Sequence, residues 1–162
     1  MPGVGKTSIA KLISKTLKIN HIDVDQIIED NESETINDII SKRGEDVFRS
    51  IEKKELSFAI NTKELSVISC GGGVVIDKEN RYLIKEKTYG IHIKSSIEEI
   101  SKRIDVNIRP LLYNTNISER LRSLWKVREK LYNNSAKISI NIKGLSLDAA
   151  VNKIYSRLSN DK

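Results

Sequence analysis

Helical and extended patterns of apolar residues alternate along the whole chain. Residues 6–18 carry apolar side chains at helical spacing, and residues 19–22 then form a short apolar run typical of a strand. Such alternation predicts an α/β protein, a three-layer αβα fold with a mainly parallel sheet. Predicted helices cover residues 6–18, 25–30, 35–43, 46–61, 77–86, 95–104, 117–132 and a segment from 146 onward, and predicted strands cover 19–22, 65–70, 89–93 and 137–142.

Some of these elements carry finer predictions. Residues 65–70 are expected to form a buried strand, and Ser95 with Glu98 has the spacing of a helix-capping box. Asp77 and Ser146 are expected to cap the helices that follow them. The expected buried faces are, for the helix over 46–61, Val47, Ile51, Leu56 and Phe58, and for the last helix Leu147, Ala150, Val151, Ile154 and Leu158.

Length and composition favour one globular domain over residues 1–162. A chain of 162 residues and 18.4 kDa with 38% hydrophobic residues can bury a core, and its apolar runs are too short to span a membrane. The single cysteine, Cys70, excludes an internal disulfide and a cysteine-based zinc site and favours a reducing compartment, the cytoplasm. The net charge of +6 favours anionic partners weakly, and no basic run indicates a nucleic-acid surface.

The beginning of the chain resembles a phosphate-binding loop. The motif G-x-x-x-x-G-K-[ST] is matched except at its first glycine by Met1, Pro2, Gly3, Val4, Gly5, Lys6 and Thr7. The two glycines make backbone N–H groups accessible to phosphate oxygens, and the start of the helix and the Lys6 charge also favour phosphate. Thr7 can ligate magnesium. The alternative is an ordinary glycine-containing helix start that Thr7 caps.

Two more groups of residues follow predicted strands. Asp23 and Asp25 are two residues apart, so in an extended chain both carboxylates would point the same way, towards a metal and an alcohol; the alternative is that they cap the next helix. Gly71, Gly72 and Gly73 follow the strand over 65–70 and indicate close backbone approach to something small, or else a flexible turn. Both groups are expected at the carboxyl ends of parallel strands, where ligands bind. Cys70, His21 and His92 are expected to be structural.

Six motifs along the chain are similar in order and spacing to those of the shikimate kinases, P-loop enzymes with a nucleoside monophosphate kinase-like fold. They are Gly3-x-Gly5-Lys6-Thr7, Asp23-x-Asp25, Phe48-Arg49-x-x-Glu52, Gly71-Gly72-Gly73, Arg109-Pro110-Leu111-Leu112 and Arg128-x-x-Leu131-Tyr132. The resemblance implies transfer of the γ-phosphoryl group of ATP to the 3-hydroxyl of shikimate, towards chorismate and the aromatic amino acids. It also implies MgATP and shikimate as small-molecule ligands, a monomer, and neither a nucleic-acid nor a membrane partner.

The resemblance further implies roles for single residues. Lys6 would bind phosphate, Thr7 would ligate Mg²⁺, Asp23 would contact Mg²⁺ through water, and Asp25 would accept the proton of the reacting hydroxyl. Arg49 and Arg128 would bind the substrate carboxylate, while the glycines at 71–73 would offer backbone N–H groups to its hydroxyls. Arg109 would cover the phosphates from a lid loop over about 105–116, and Arg103 lies near the position of an arginine that stacks on adenine.

Two features depart from the family pattern. Glu129 and Lys130 stand where proline is frequent before Leu-Tyr, and the first strand and first loop glycine are absent. We therefore expect a translation start roughly ten residues upstream, with an apolar strand that ends in glycine. The alternatives are another P-loop small-molecule kinase, or a non-catalytic remnant that binds nucleotide.

Overall fold

The fold is described from a computed structural model of the chain over residues 1–104 and 116–160. Its elements are α1 (Lys6–Leu17), β1 (Asn20–Asp23), α2 (Val24–Glu32), α3 (Ile36–Arg43), α4 (Glu45–Ile60), β2 (Ser66–Ser69), a 3₁₀ turn (Val74–Ile76), α5 (Lys78–Lys87), β3 (Ile91–Lys94), α6 (Ile97–Arg103), α7 (Ile117–Ser135), β4 (Ile138–Asn141) and α8 (Leu147–Asn160). This order confirms the predicted α/β fold. The predicted lid loop lies outside the described residues, apart from Asn116, which caps α7.

The strands form two parallel pairs. In β1 and β2, Asn20 aligns with Ser66 and Asp23 with Ser69. In β3 and β4, Ile91 aligns with Ile138 and Lys94 with Asn141. Because both strands of a parallel pair end at the same edge, the residues that follow β1 and β2 are brought together. This edge carries Asp25 and the glycines at 71–73.

An apolar cleft lies between the two strand pairs. Among the described strands, β2 and β3 each pair with only one neighbour, β1 and β4 respectively. Both β2 and β3 line a cavity of about 710 Å³, together with residues of α1, α4 and α8. Met1, only 4% exposed, also lines this cleft. The start of the phosphate loop is therefore at its edge.

Most predicted caps are confirmed. The Asp77 carboxylate accepts from the backbone N–H groups of Glu79 and Asn80 at 2.7 and 3.0 Å, and the Ser146 hydroxyl accepts from Ala149 N–H at 3.2 Å. The capping box at α6 was predicted one residue too early, because Ser96 rather than Ser95 accepts from the Glu99 N–H.

The buried faces of three elements differ in part from prediction. Phe58 is 70% exposed, because α4 turns Phe48, Leu56 and Ala59 inward together with two glutamates. The predicted face is therefore correct at Leu56 and at the partly buried Ile51, and wrong at Phe58. Leu65 is 77% exposed and precedes β2, and Leu147 is 43% exposed at the start of α8. Of the helices within residues 1–104 and 116–160, none is long and apolar enough to cross a membrane.

Candidate functional site

The phosphate loop, residues 2–7, leads directly into α1. Gly3 and Gly5 have positive φ angles of 73° and 95°, which glycine adopts without strain, and no side chain caps the helix start. The Lys6 ammonium donates to the Met1 carbonyl at 2.8 Å and so lies across the loop. Val4 is fully buried and anchors the loop in the core. Uncapped N–H groups and a lysine at one helix start form a suitable site for phosphate.

Asp23 connects this loop to the first strand pair. One oxygen of its carboxylate caps α2, accepting from Asp25 N–H at 3.2 Å and Gln26 N–H at 3.5 Å. The other accepts from the Thr7 hydroxyl at 3.0 Å. The prediction that Asp23 and Asp25 lie on one extended strand is wrong, because β1 ends at Asp23 and Asp25 lies in the first turn of α2. The capping alternative is correct for Asp23.

Thr7 and Asp23 fit a magnesium ion. Mg²⁺ prefers oxygen ligands, keeps several waters, and needs only one or two protein oxygens beside the phosphates of a nucleotide. A hydroxyl and a carboxylate 3.0 Å apart at the phosphate loop meet that requirement. No group of three or more His, Cys, Asp or Glu side chains suited to a metal occurs in the described part of the chain.

Two carboxylates face the glycine turn, residues 71–73. A Cβ added at Gly71 would lie 2.9 Å from Asp25 Oδ1 and 3.2 Å from Glu52 Oε1. Burial raises the pKa of Glu52, Arg49 opposes this rise, and the nearby Asp25 adds to it. Glu52 is only 1% exposed, and its Oε1 has no hydrogen-bond partner among the described residues. Only glycine leaves room for both carboxylates at position 71.

Arg49 is held against the same turn from α4. Its guanidinium donates to Glu52 Oε2 at 2.7 Å and to Glu45 Oε1 at 2.8 Å, and it lies over the Phe48 ring at 4.9 Å. A Cβ added at Gly73 would lie 2.4 Å from Arg49 Nη1. The absence of a side chain at 73 therefore lets the guanidinium pack on the backbone.

Arg128 reaches the turn from the opposite element, α7. Its Nη1 donates to the Gly72 carbonyl at 3.2 Å, and the Tyr132 hydroxyl donates to the same oxygen at 2.6 Å. The Arg128 charge, like that of Arg49, opposes the rise that burial causes in the pKa of Glu52. The two arginines, 79 positions apart in the sequence, thus meet at Gly72 and Gly73.

The glycine turn also touches the phosphate loop. A Cβ added at Gly72 would lie 3.2 Å from the Met1 carbonyl carbon and 3.2 Å from Pro2 N. The phosphate loop, Asp25 and both arginines therefore surround one short backbone segment. This arrangement can hold an anionic ligand and an alcohol next to a nucleotide phosphate.

The remaining predicted residues lie around this centre or outside the description. Arg103 is the last residue of α6, and its Nη2 lies 4.0 Å from Glu99 Oε2. The next residue, Ile104, packs on Gly3. Arg109 lies outside the described residues. Burial raises the pKa of Cys70 to about 12, consistent with a structural thiol.

Sequence reasoning gave no role to Glu52 or Tyr132. Their signals were present, because Glu52 is three residues after Arg49 and Tyr132 four after Arg128, the spacings of neighbours on a helix. Two further residues, both on α5, bond the 3₁₀ turn that follows the glycine turn. Asn80 Nδ2 donates to the Val74 carbonyl at 3.1 Å, and Arg81 Nη1 donates to the Val75 carbonyl at 2.8 Å.

Three kinds of comparison with known proteins find the same family. The model of the shikimate kinase family matches residues 2–159. The chain is 37% identical to the shikimate kinase of Dictyoglomus turgidum, covering 98% of this chain and 94% of that protein, and 38% identical to that of Thermodesulfovibrio yellowstonii, covering 99% and 94%. A solved shikimate kinase from Acinetobacter baumannii in complex with shikimate is 29% identical, with a TM-score of 0.94 over 99% of this chain and 90% of that one.

Proposed function

Since the chain belongs to the shikimate kinase family, we propose that the site around the glycine turn is where it transfers a phosphoryl group from ATP to the 3-hydroxyl of shikimate. The family reaction converts ATP and shikimate to ADP and shikimate 3-phosphate, on the route to chorismate and the aromatic amino acids. One observation carries the assignment of the site: Gly72 contacts the phosphate loop on one side and residues of the arginine-bearing helix α7 on the other.

The substrate carboxylate binds between Arg49 and Arg128. A guanidinium presents parallel N–H donors that match a carboxylate, and such charge-assisted bonds are roughly twice as strong as neutral ones. Glu52 holds Arg49 in place through the 2.7 Å bond, so this side chain loses little freedom on binding. Backbone N–H groups of Gly72 and Gly73 donate to ring hydroxyls of the same ligand.

The phosphates of ATP bind at the start of α1. Lys6 exchanges the Met1 carbonyl for phosphate oxygens, joined by N–H groups of the loop. Thr7 and Asp23 would hold a Mg²⁺ ion, which would neutralise phosphate charge. The resemblance assigns Arg109, which lies outside the described residues, to the phosphates, and Arg103 at the end of α6 to the adenine.

Asp25 orients the acceptor alcohol. The hydroxyl oxygen forms a bond to the γ-phosphorus as the bond to the β–γ bridging oxygen breaks, and its proton passes to the Asp25 carboxylate. Phosphoryl transfer depends mainly on alignment and charge neutralisation, so this proton transfer is late. The position of Asp25 against Gly71 supports this role, because it places the carboxylate beside the turn that binds the acid.

The test is a coupled assay of ADP release with MgATP and shikimate on wild type and the R49K and R128K variants. Lysine keeps the charge and loses the planar donor fork, so KM for shikimate is expected to rise on the order of tenfold or more while KM for ATP stays unchanged. Equal effects on both substrates, or no effect, would place the acid elsewhere.

We also propose that the chain works as a monomer of one domain in the cytoplasm. A single continuous hydrophobic cluster includes residues from α1 to α8 within the described residues, which supports one domain. The lone thiol supports a reducing compartment.

A further inference from the structure

One peptide group at the centre of the site is fixed by two donors from one helix. The Gly72 carbonyl accepts from the Tyr132 hydroxyl at 2.6 Å and from Arg128 Nη1 at 3.2 Å. A trans peptide is planar, and its carbonyl and following N–H point in opposite directions. Holding the Gly72 carbonyl towards α7 therefore directs the Gly73 N–H away from it. The orientation of that N–H therefore depends on the two donors that hold the Gly72 carbonyl.

The Tyr132 ring is buried and packs against two other aromatic rings. It is 6% exposed, and its centroid lies 4.6 Å from that of His92 and 6.3 Å from that of Trp125, with planes inclined by 27° in both cases. Stacked aromatic pairs at such distances are favourable. Burial raises the pKa of Tyr132, so the hydroxyl keeps its proton at neutral pH. The side chain is a fixed donor.

Arg128 differs from Tyr132 in having a second task. Its side chain is only partly buried, and under the proposed function its guanidinium binds the substrate carboxylate. An N–H group of Arg128 that donates to the Gly72 carbonyl is not available to the ligand at the same time. The shorter bond from Tyr132 can hold the carbonyl alone.

We propose that Tyr132 is a positioning residue for shikimate: its hydroxyl holds the Gly72 peptide so that the Gly73 N–H is aligned and Arg128 is available to the acid. This inference rests on the proposed function. A Cβ at Gly72 would lie 3.3 Å from the Tyr132 hydroxyl and 3.2 Å from Pro2 N, so the residue that Tyr132 holds also lies next to the phosphate loop.

The test compares Y132F with Y155F. Both remove one hydroxyl that donates to a backbone carbonyl and keep the ring, but Tyr155 bonds Ile13 at 3.3 Å in the contact between α8 and α1. For Y132F, kcat/KM for shikimate and its affinity by calorimetry are expected to fall roughly three- to tenfold, the effect of one hydrogen bond, with KM for ATP unchanged. For Y155F, both are expected to match wild type.

A double-mutant cycle with R128K gives a second readout. Because both side chains bond one oxygen, their effects on shikimate binding are expected to be non-additive. Additive effects, or wild-type affinity in Y132F, would overturn the inference. A melting temperature lowered by Y132F, with equal losses for both substrates, would assign the hydroxyl to stability and overturn it too. If the wild-type protein binds no shikimate, the proposed function itself is refuted. If wild type and Y132F bind shikimate equally well, only the inference about Tyr132 is refuted.

Discussion

Replacing Gly73 by alanine tests the contact between the glycine turn and Arg49. The added Cβ would lie 2.4 Å from Nη1, 2.6 Å from Nη2 and 2.7 Å from Cζ of Arg49. Favourable carbon contacts occur at about 3.5–4.0 Å, so the guanidinium must retreat by roughly 1 Å. The backbone at Gly73 has φ −91° and ψ −14°, which alanine adopts freely. The substitution therefore acts on the arginine rather than on the backbone.

A displacement of about 1 Å in a positioning group can cost on the order of 100-fold in rate. We expect kcat/KM for shikimate to fall between roughly 10- and 100-fold in G73A, with KM for ATP unchanged. Initial rates of ADP release, with each substrate varied in turn, measure this. Circular dichroism melts check that the variant is folded, as expected because the change from glycine to alanine restricts the unfolded chain.

The control is S50A, which changes the exposed residue next to Arg49. Among the described residues, the Ser50 hydroxyl bonds only the Asp46 carbonyl. Its kinetics should match wild type. A folded G73A variant with wild-type kcat/KM for shikimate would refute the reasoning, as would an equal loss against ATP.

Three further predictions follow from single residues. In D25N, kcat should fall by roughly 10²- to 10⁴-fold with little change in KM, because the amide still bonds the alcohol but takes no proton; an unchanged kcat would exclude the role. The pKa of Cys70, raised to about 12 by burial, should prevent iodoacetamide labelling of the folded protein at pH 8 while labelling proceeds in urea; mass spectrometry decides. Burial lowers the pKa of His92 to about 4, so below pH 6.5 the unfolded chain binds a proton that the folded chain does not bind. The free energy of unfolding, measured by urea denaturation, should therefore fall more between pH 7 and 5 in wild type than in H92F. Equal losses in the two proteins would contradict this.

The chain's local signals carried most of the fold. Strong periodicity and caps such as Asp77 and Ser146 depend on neighbours in the sequence, and these predictions hold. The buried face of α4 could be predicted only in part in the same way. Glu52 and Glu55 occupy core-facing positions there, where a pattern-based prediction expects apolar residues. Glu52 is buried beside Arg49 of the same helix, and the charges of Asp25 and Arg128 from other elements also act on it, which the local pattern does not show.

In the site too, local motifs could be predicted from the sequence and tertiary contacts could not. Lys6 and Thr7 were predicted from the phosphate-loop motif, which is local, and Asp23 from the separate Asp23-x-Asp25 pair. The structure brings Thr7 and Asp23 within 3.0 Å. Tyr132 could not be assigned a role, because its bond to Gly72 spans 60 residues of sequence and exists only after α7 has packed against the turn. Contacts of this kind require the tertiary structure.

The cleft between β2 and β3 has a consequence for what the strand pairs can bind. Strand edges without a neighbour offer N–H and C=O groups to an added strand. Two such edges of the described strands border a largely apolar cavity, so an extended apolar segment lying in it would find ladder partners on both sides and bury its side chains at once. Such a segment would join the two pairs into one continuous sheet.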